Sequence, residues 1–342
     1  MAEISVEPIT EKDVWEVFMA QHPEANFLHS WFWADFHERL GHRVHRCGFF
    51  KNGQLVGVML AIVENAKRGR HLIVPAGPII DWEDSALAKK AVAEMKRIAK
   101  REKCVFIRVR PQIVTSTKYK NIFRRLGFVS AQMHLHAELT SQLDITKDES
   151  SLLAEFRKNT RYELKQADKR GIKISSTTDV KAIEEFYMLQ LATARRHGFV
   201  PYGKRFLQKQ FETFAAEDKV LLYSAHTKDG KLIAQAFIIF YNKEAAYHYG
   251  ASTDLGRKEP GAYAIQWAAI QEAKRRGCER YNFWGVVQPD QTKHRFYGVS
   301  VFKRGFRGED VEYLHAQDLV INRVKYIPNF VVEYARKRRR HL

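Results

Sequence analysis

The residues best suited to chemistry lie between Tyr281 and Phe306, in the stretch YNFWGVVQPDQTKHRFYGVSVFKRGF. An aromatic strand pattern opens this stretch and stops at Gly285, and a polar loop with a proline then leads to Phe302 and Lys303. A buried strand that feeds a loop is a common place for a reactive group. A lysine held near such a strand end can stabilise a developing oxyanion. The alternative interpretation, a solvated lysine beside packed phenylalanines, stays open.

A second candidate group is the run of basic residues between positions 150 and 172. Arg157, Arg161 and Lys165 recur at every fourth position, so a helix would carry them on one face, with Lys158 beside it. Such a face can follow the phosphates of a nucleic acid, or it can be an ordinary solvated surface. The functional interpretation is a phosphate-binding helix at the junction of two domains.

The charge of the whole chain points to an anionic partner. Its 342 residues include 57 Lys and Arg but 39 Asp and Glu, which gives a formal net charge of +18. Nucleic acid, an acidic membrane surface and a phosphate-bearing substrate would all match this excess. Charge alone does not choose among them.

Composition restricts the class of protein. A content of 45% hydrophobic and 28% charged residues is typical of a globular protein, and the length fits two domains. No window approaches the roughly 18 to 20 apolar residues of a membrane helix. The N-terminus, MAEISVEPITEKDVWEVF, is acidic and lacks the apolar core of a signal peptide, so a cytoplasmic location is predicted.

Cysteine and histidine usage predicts neither a disulfide framework nor a metal site. The three cysteines, Cys47, Cys104 and Cys278, are isolated, and none has a partner at metal-ligand spacing. They are expected to be buried thiols. His294 and His315 are lone histidines, which are usually surface or hydrogen-bonded residues.

The chain repeats one order of elements: a β-hairpin, a short strand, a helix and a strand. Gly53 in the first hairpin turn corresponds to Gly230 in the second, and Cys104 corresponds to Cys278 at a similar spacing. The repeat predicts two copies of one α/β unit, each a mixed sheet with packed helices. The predicted elements of the first copy are His42–Phe50, Gln54–Glu64, Leu72–Val74, Ser85–Lys100 and Cys104–Val109. Those of the second are Val220–His226, Lys231–Tyr241, Ala245–Gly250, Ala262–Arg276 and Cys278–Phe283.

Further helices are predicted outside the repeat. Ser30 is a plausible N-cap for a helix over Ser30–Leu40, and Gly198 is a reasonable stop for a helix over Glu184–His197. A helix is also expected over Glu11–Met19. The last one starts near Pro328 and leads into a basic tail that could hold tRNA or anionic lipid.

Three pieces of the sequence together resemble the Fem-type peptidoglycan-bridge aminoacyltransferases, the FemABX family. They are Phe156–Arg161 with the basic run after it, Tyr281–Gly285, and Phe296–Ser300 leading into Phe302 and Lys303. The resemblance implies two tandem GNAT-like acyltransferase domains with a cleft between them. We expect the first domain to span residues 1–145, with the segment 317–342 packing back on it, and the second to span 146–316.

The resemblance also implies a reaction and the residues that perform it. Members move an amino acid from aminoacyl-tRNA onto an amine of a cell-wall precursor, without a cofactor. Lys303 stands at the position of the family's functional lysine, where it would stabilise the oxyanion or the tRNA acceptor end, and Phe302 would pack on the terminal adenosine. The precursor, whether nucleotide-linked or lipid-linked, would be bound by residues near the family's positions: Trp33, Arg110, Tyr202, Tyr249 and Tyr263.

Two other functions remain open on the sequence. A coenzyme A-dependent N-acyltransferase would need a Gly-rich pyrophosphate turn, but prolines interrupt both candidate loops, at Pro78 and Pro260. A basic RNA- or membrane-binding protein on a decayed transferase scaffold is the other. No general base stands out, and the loop carboxylates of Asp254 and Glu259 are weak candidates.

Overall fold

The chain forms two compact units. The computed structural model describes residues 3–66 and 69–340, so His341 of the basic tail lies outside the described residues, as does the side chain of residue 340. One unit comprises Met1–Glu138 and Glu312–Leu342, and the other comprises Leu139–Val311. The first unit therefore includes both ends of the chain.

The amino-terminal part of the first unit contains a β-hairpin and the helix that covers it. The hairpin turn is tight because Asn52 and Gly53 both take positive φ, which suits the twist of the flanking strands. Asp84 caps the long helix by accepting from the backbone N–H groups of Ala86 and Leu87. In chain order the elements are β1 (Ile4–Pro8), α1 (Lys12–Ala20), α2 (Trp31–Arg39), β2 (Arg43–Lys51), β3 (Gln54–Ala66), β4 (Gly69–Pro75), β5 (Ile79–Ile80), α3 (Ser85–Arg101), β6 (Phe106–Arg110), α4 (Thr117–Arg125) and β7 (Val129–Ser130).

The second unit repeats this order, as predicted. Its elements are β8 (Leu139–Asp144), α5 (Glu149–Glu155), α6 (Lys158–Lys169), β9 (Lys173–Thr177), α7 (Ile183–His197), α8 (Lys204–Ala215), β10 (Val220–His226), β11 (Leu232–Tyr241), β12 (Glu244–Ser252), α9 (Gly261–Arg275), β13 (Arg280–Gly285), α10 (Tyr297–Arg304) and β14 (Glu309–Glu312). The chain then returns to the first unit with β15 (Gln317–Val320) and α11 (Arg323–Arg340).

The two sheets have matching strand orders. Among the described residues, the first sheet runs β1-β2-β3-β4-β6-β15-β7, with β5 beside β3, and the second runs β9-β10-β11-β12-β13-β8-β14. Each sheet contains a parallel pair, β4 with β6 in the first and β12 with β13 in the second. β15 pairs with β6 in the first sheet, and β8 pairs with β13 in the second. Each of these two strands is remote along the chain from its partner.

This pairing moves the domain boundary. The prediction placed residues 139–144 in the first domain, but β8 pairs antiparallel with β13 of the second sheet. Residues 312–316 were placed in the second domain, yet they group with the first unit. β15 pairs with β6, so the segment after residue 317 contributes a strand to the first sheet. Sequence periodicity does not reveal such boundaries because the pairing partners are remote along the chain.

Each unit has its own apolar core between its sheet and its long helix. In the first unit α3 buries Leu87, Met95 and Ile98 against Met59 and Ala61 of β3. In the second unit the residues Ile265, Ala269 and Ile270 of α9 play the same part against the second sheet. Burial of side chains of this size stabilises the fold by roughly 1.5–3 kcal/mol each.

The basic segment is not one helix. Phe156 and Arg157 have ψ values of 150° and 148°, so the chain is extended between α5 and α6. Phe156 is buried, with its ring 5.1 Å from that of Phe306, and the backbone N–H of Arg157 donates to Gly305 O at 2.9 Å. Arg157 therefore precedes α6, and the predicted single face of Arg157, Arg161 and Lys165 is wrong at its first member.

Candidate active site

A split between two parallel strands is the main feature of the second sheet. β12 and β13 pair only over Glu244–Ala246 and Arg280–Asn282. Beyond these residues β12 continues beside β11, and β13 continues beside β8. In open α/β sheets, ligands bind beyond the carboxyl ends of the strands, which is where this opening lies.

The corresponding strands of the first unit stay together. β4 and β6 pair from Leu72 and Ile107 to Pro75 and Arg110, the last residue of each strand. The same topology is therefore closed in one unit and open in the other. This difference makes the parallel strands of the second unit the candidate site.

Irregular backbone widens the split on both sides. On β12, Tyr247 and Tyr249 pair with consecutive residues of β11, so His248 is an extra, bulged residue. On β13 the register shifts before Gly285, and Trp284 has a φ of 64°, which is costly for a bulky side chain. The backbone N–H of Trp284 donates to Asn282 Oδ1 at 2.8 Å, and this bond holds the turn.

Lys303 lies between the end of β13 and the middle of β12. It lies in the last turn of α10, a helix that the sequence analysis did not predict, and its side chain is 8% exposed. Its Nζ donates to the backbone oxygen of Gly285 at 2.7 Å and lies 5.5 Å from the centre of the Tyr247 ring. The prediction of a lysine fixed near a strand end therefore describes this position.

Burial changes the chemistry of this amine. It lowers the pKa of Lys303 from 10.5 to about 7, because the charged form loses its hydration. An amine with this pKa is partly protonated and partly neutral near neutral pH. When charged, it can stabilise an oxyanion, and when neutral it can accept a proton.

Aromatic side chains surround the split. The ring of His248 lies 3.9 Å from that of Tyr249 and 5.3 Å from that of Trp284, and burial lowers the pKa of His248 to about 3. Tyr202 and Tyr249 are brought together, with ring centres 5.7 Å apart. Tyr202 is 49% exposed, whereas the Tyr249 hydroxyl donates to Gln210 Oε1 at 3.1 Å. These two predicted substrate-binding tyrosines thus form one cluster.

Phe302 and Tyr263 form another contact. Their ring centres are 4.8 Å apart, and Phe302 also lies 5.6 Å from Phe306. Consecutive residues of a helix point about 100° apart, so Phe302 faces α9 while Lys303 faces the strand ends. In the structure Phe302 packs on the core of the second unit and remains half-buried.

The two predicted substrate residues of the first unit are buried. Trp33, on α2, is 4% exposed, and its ring lies 6.2 Å from that of His136. Arg110, at the end of β6, is 1% exposed; its guanidinium donates to Gln112 and to Ala137 O, the latter at 2.6 Å. Within the first unit, Trp33 therefore packs against aromatic neighbours and Arg110 makes hydrogen bonds.

The predicted phosphate-binding residues differ in what they contact. Arg161 donates to the backbone oxygens of Ala154 and Phe156 at 2.8 and 2.5 Å, where α5 ends. Its guanidinium therefore satisfies helix-terminal carbonyls. Arg157, Lys158 and Lys165 are exposed, as a surface for a polyanion requires.

A group of potential metal ligands, unforeseen in the sequence, lies in the first unit. His37, His42 and Glu64 offer ligand atoms within 4.8 Å of one another. The two Nδ1 atoms of the histidines are 2.8 Å apart, a hydrogen-bond distance, and burial lowers the pKa of His37 to about 3. Two nitrogens on one tetrahedral zinc would be about 3.3 Å apart at the usual bond length. We therefore describe the pair as a hydrogen bond between neutral imidazoles.

The helix starts of the two units also differ. At α3 the carboxylate of Asp84 occupies the amino terminus, which would repel a pyrophosphate. At α9 the preceding Pro260 has no N–H to offer, and Glu259 pairs with Arg170 at 2.9 Å. Neither helix start has the glycine-rich turn that would bind the pyrophosphate of coenzyme A.

The residues that sequence reasoning missed are those that shape the split: Tyr247, His248, Trp284 and the backbone oxygen of Gly285. The run Tyr247-His248-Tyr249 was visible as an aromatic strand. Its bulge was not visible, because only pairing with β11 reveals the extra residue. Gly285 was recognised as a strand end, but nothing in its side chain marks its carbonyl as a partner for Lys303.

Curated relatives match over most of their length. The UDP-N-acetylmuramoylpentapeptide-lysine N(6)-alanyltransferase of Weissella viridescens is 25% identical over 72% of this chain and 74% of its own. The lipid II:glycine glycyltransferase of Staphylococcus epidermidis is 20% identical over 91% of this chain and 92% of its own. Both relatives are named for aminoacyl transfers.

Solved structures share the fold. FemX superposes with a TM-score of 0.84 at 17% identity, over 96% of this chain and 100% of that one. A tandem GNAT protein from the clavulanic acid pathway matches with a TM-score of 0.60 at 9% identity, over 93% and 98%. The predicted mixed α/β fold of two tandem GNAT-like units is confirmed. The model of the FemAB family matches residues 9–231 and 222–333, and the chain therefore belongs to the FemAB family.

Proposed function

We propose that this chain is an aminoacyltransferase that moves an amino acid from aminoacyl-tRNA to an amine of a peptidoglycan precursor's stem peptide. The single observation that carries the proposal is the buried Lys303 amine, held by Gly285 O at the split between β12 and β13. The relatives' names supply the reaction class, since both transfer an aminoacyl group to a cell-wall precursor. The reaction builds the bridge between peptidoglycan strands.

The chemistry needs no external oxidant, reductant or energy source. The acceptor amine attacks the ester carbonyl of the aminoacyl-tRNA, and a tetrahedral oxyanion forms. When this intermediate collapses, the amide bond is made, the ester bond breaks, and the ribose hydroxyl leaves with a proton that the amine has lost. Charged Lys303 stabilises the oxyanion, a role worth roughly 100- to 1,000-fold in rate for a single donor.

Aminoacyl-tRNA is the donor that best fits the charge of the chain. The net charge of +18 matches a large polyanion. Arg157 and Lys158 are exposed at the start of α6, Lys165 is exposed further along it, and all three would contact the tRNA phosphates. Phe302 would pack against the terminal adenosine, and Arg161 supports the segment through its bonds to the end of α5.

The acceptor is a muropeptide precursor, linked either to a nucleotide or to a lipid. One relative is named for a UDP-linked acceptor and the other for lipid II. Tyr202 and Tyr249 form the aromatic cluster that would contact it in the second unit. Tyr263 of the same unit completes the set proposed for precursor binding.

We propose that the protein acts on the cytoplasmic side, with peripheral contact to an anionic membrane. Among the described residues, no helix combines the length and apolar character needed to cross a bilayer. The basic surface suits both tRNA and an acidic membrane face.

The test is transfer of radiolabel from a mixed pool of charged tRNA to each of the two precursors. Label should appear in at least one precursor with the native chain and should be lost with Lys303→Ala. Lys243→Ala is the matched control, because Lys243 is exposed on the turn at the other end of β12. Transfer to neither precursor, or full transfer by Lys303→Ala, would overturn the assignment; saturable acetyl-CoA binding would instead favour a coenzyme A-dependent enzyme.

A further inference from the structure

The helix α11 exposes a row of apolar side chains on its surface. Val324, Ile327, Val331 and Tyr334 recur at spacings of three and four residues, so they form one stripe along the helix. These four residues, the apolar stripe, are 79%, 60%, 56% and 43% exposed. A surface helix normally buries such a stripe and exposes its polar face.

The face that α11 turns inward is held largely by polar bonds. The Tyr326 hydroxyl donates to Asp318 Oδ2 at 2.7 Å. Glu333 accepts from Arg108 at 2.7 Å, and Arg108 also pairs with Asp318. These bonds fix the rotation of the helix about its axis, so the outward position of the apolar stripe is a property of the fold. The apolar surface continues to Val129 on β7, which is 48% exposed.

The charge of the helix favours an anionic partner for the stripe. α11 has seven basic residues and one acidic residue. Helical spacing puts Arg338 on the same face as the stripe, where its guanidinium lies 5.0 Å from the centre of the Tyr334 ring. An apolar stripe on a helix rich in basic residues is the pattern of a helix that lies in the interface of an anionic bilayer.

Two other occupants fit less well. A second copy of this chain would bring two strongly basic helices face to face, and their charges would repel. An RNA would match the charge, but phosphates and ribose do not remove water from exposed valine and isoleucine. We therefore propose that α11 docks on the surface of an anionic lipid bilayer, with the apolar stripe in the headgroup region and the basic residues among the phosphates.

The apolar stripe belongs to the first unit and Lys303 to the second, and the docking proposal does not rest on the aminoacyl reaction. Membrane docking by the first unit would hold the protein at the place where a lipid-linked acceptor is found. The reaction with a water-soluble acceptor would not need it. Vesicle binding and transfer activity can consequently be measured separately.

The test is flotation of the full chain with vesicles of mixed phosphatidylglycerol and phosphatidylcholine, and with vesicles of phosphatidylcholine alone. The native chain should bind the anionic vesicles and not the neutral ones. The double variant Ile327→Glu/Val331→Glu should bind anionic vesicles roughly tenfold more weakly or worse. Val17→Glu, which changes an exposed valine of α1, should bind like the native chain. Circular dichroism melting checks that both variants fold.

Several outcomes would overturn the docking proposal. Equal vesicle binding by the native chain and the double variant would show that the apolar stripe takes no part in membrane binding. A native dimer in sedimentation without lipid that Val331→Glu converts to a monomer would assign the stripe to self-association. Loss of tRNA binding in the double variant would assign it to nucleic acid. By contrast, the docking proposal predicts that the double variant transfers to a water-soluble precursor at the native rate.

Discussion

Lys303 Nζ donates to the backbone oxygen of Gly285 across 2.7 Å, and this bond joins the end of α10 to the end of β13. The carbonyl orients the amine but carries no full charge, so no carboxylate offsets the cost of burying an ammonium. The amine is therefore easily neutralised, and it keeps its charge only around and below neutral pH.

Replacement of this amine should slow the chemical step. Lys303→Met keeps the apolar stem and removes Nζ, so we expect kcat to fall roughly 100- to 1,000-fold with a smaller change in KM. The reason is that an oxyanion stabiliser acts in the transition state. Steady-state kinetics with purified aminoacyl-tRNA measures both values. An unchanged kcat would show that Lys303 is only a structural residue.

The pH dependence of stability should report the same amine. The pKa of Lys303 is about 7 when folded and 10.5 ordinarily, so between these values the unfolded chain holds a proton that the folded chain lacks. The free energy of unfolding therefore increases with pH across this window. Lys303→Met lacks this contribution. The difference in urea unfolding free energy, native minus variant, should increase from about pH 7 to pH 10 and stay flat below pH 7. A flat difference throughout would contradict the lowered pKa.

Activity should show the opposite trend, because the oxyanion role requires the charged amine. The guanidinium of Lys303→Arg stays charged over the whole range. The ratio of native to Lys303→Arg kcat should therefore fall as the pH rises above about 7. The ratio cancels the titration of the attacking amine, which both enzymes share. A ratio that rises with pH would indicate that the neutral amine acts as a base instead.

Substitutions at Arg161 and at its exposed neighbours should affect different properties. Arg161 should affect protein stability, and Lys158 and Lys165 should affect tRNA binding. Arg161→Ala leaves the carbonyls of Ala154 and Phe156 without their partner, and we expect a loss of about 1–2 kcal/mol in urea unfolding. Lys158→Ala and Lys165→Ala should leave stability nearly unchanged. They should weaken tRNA binding and reduce its salt dependence, measured by filter binding at several salt concentrations. Equal effects of all three variants on both measurements would refute this division.

Local patterns predicted much of the fold. Ser30 and Gly198 mark helix ends because their roles depend on adjacent backbone: Ser30 Oγ accepts from Trp33 N–H, and Gly198 has a φ of 68°. The hairpin turn at Gly53 was predictable for the same reason. The break between α5 and α6 at Phe156 was not predictable, because Phe156 packs on Phe306 and Arg157 bonds to Gly305, about 150 residues later in the chain.

The candidate site was predictable in its residue types and not in its geometry. Lys303 was identified by its position and by its resemblance to a family pattern. The parting of β12 from β13 depends on which strands lie on their outer sides, β11 and β8, and no periodicity encodes that choice. The lowered pKa of Lys303 follows from burial, which the flanking polar loop does not suggest.

The buried ion pair that holds α11 should control the order of that helix. Arg108 pairs with both Asp318 and Glu333, and its side chain is 7% exposed. Glu333→Gln removes one of the two charges and keeps the shape, so Arg108 stays neutralised by Asp318 while its bond to α11 weakens. We expect faster hydrogen exchange of the α11 amides, with β6 amides little changed, and a loss of about 1–2 kcal/mol in unfolding free energy. Glu312→Gln, at an exposed carboxylate, is the matched control. If α11 exchanged at the native rate in Glu333→Gln, the Tyr326 contact with Asp318 would be sufficient to hold the helix, and the ion pair would have no part in positioning it.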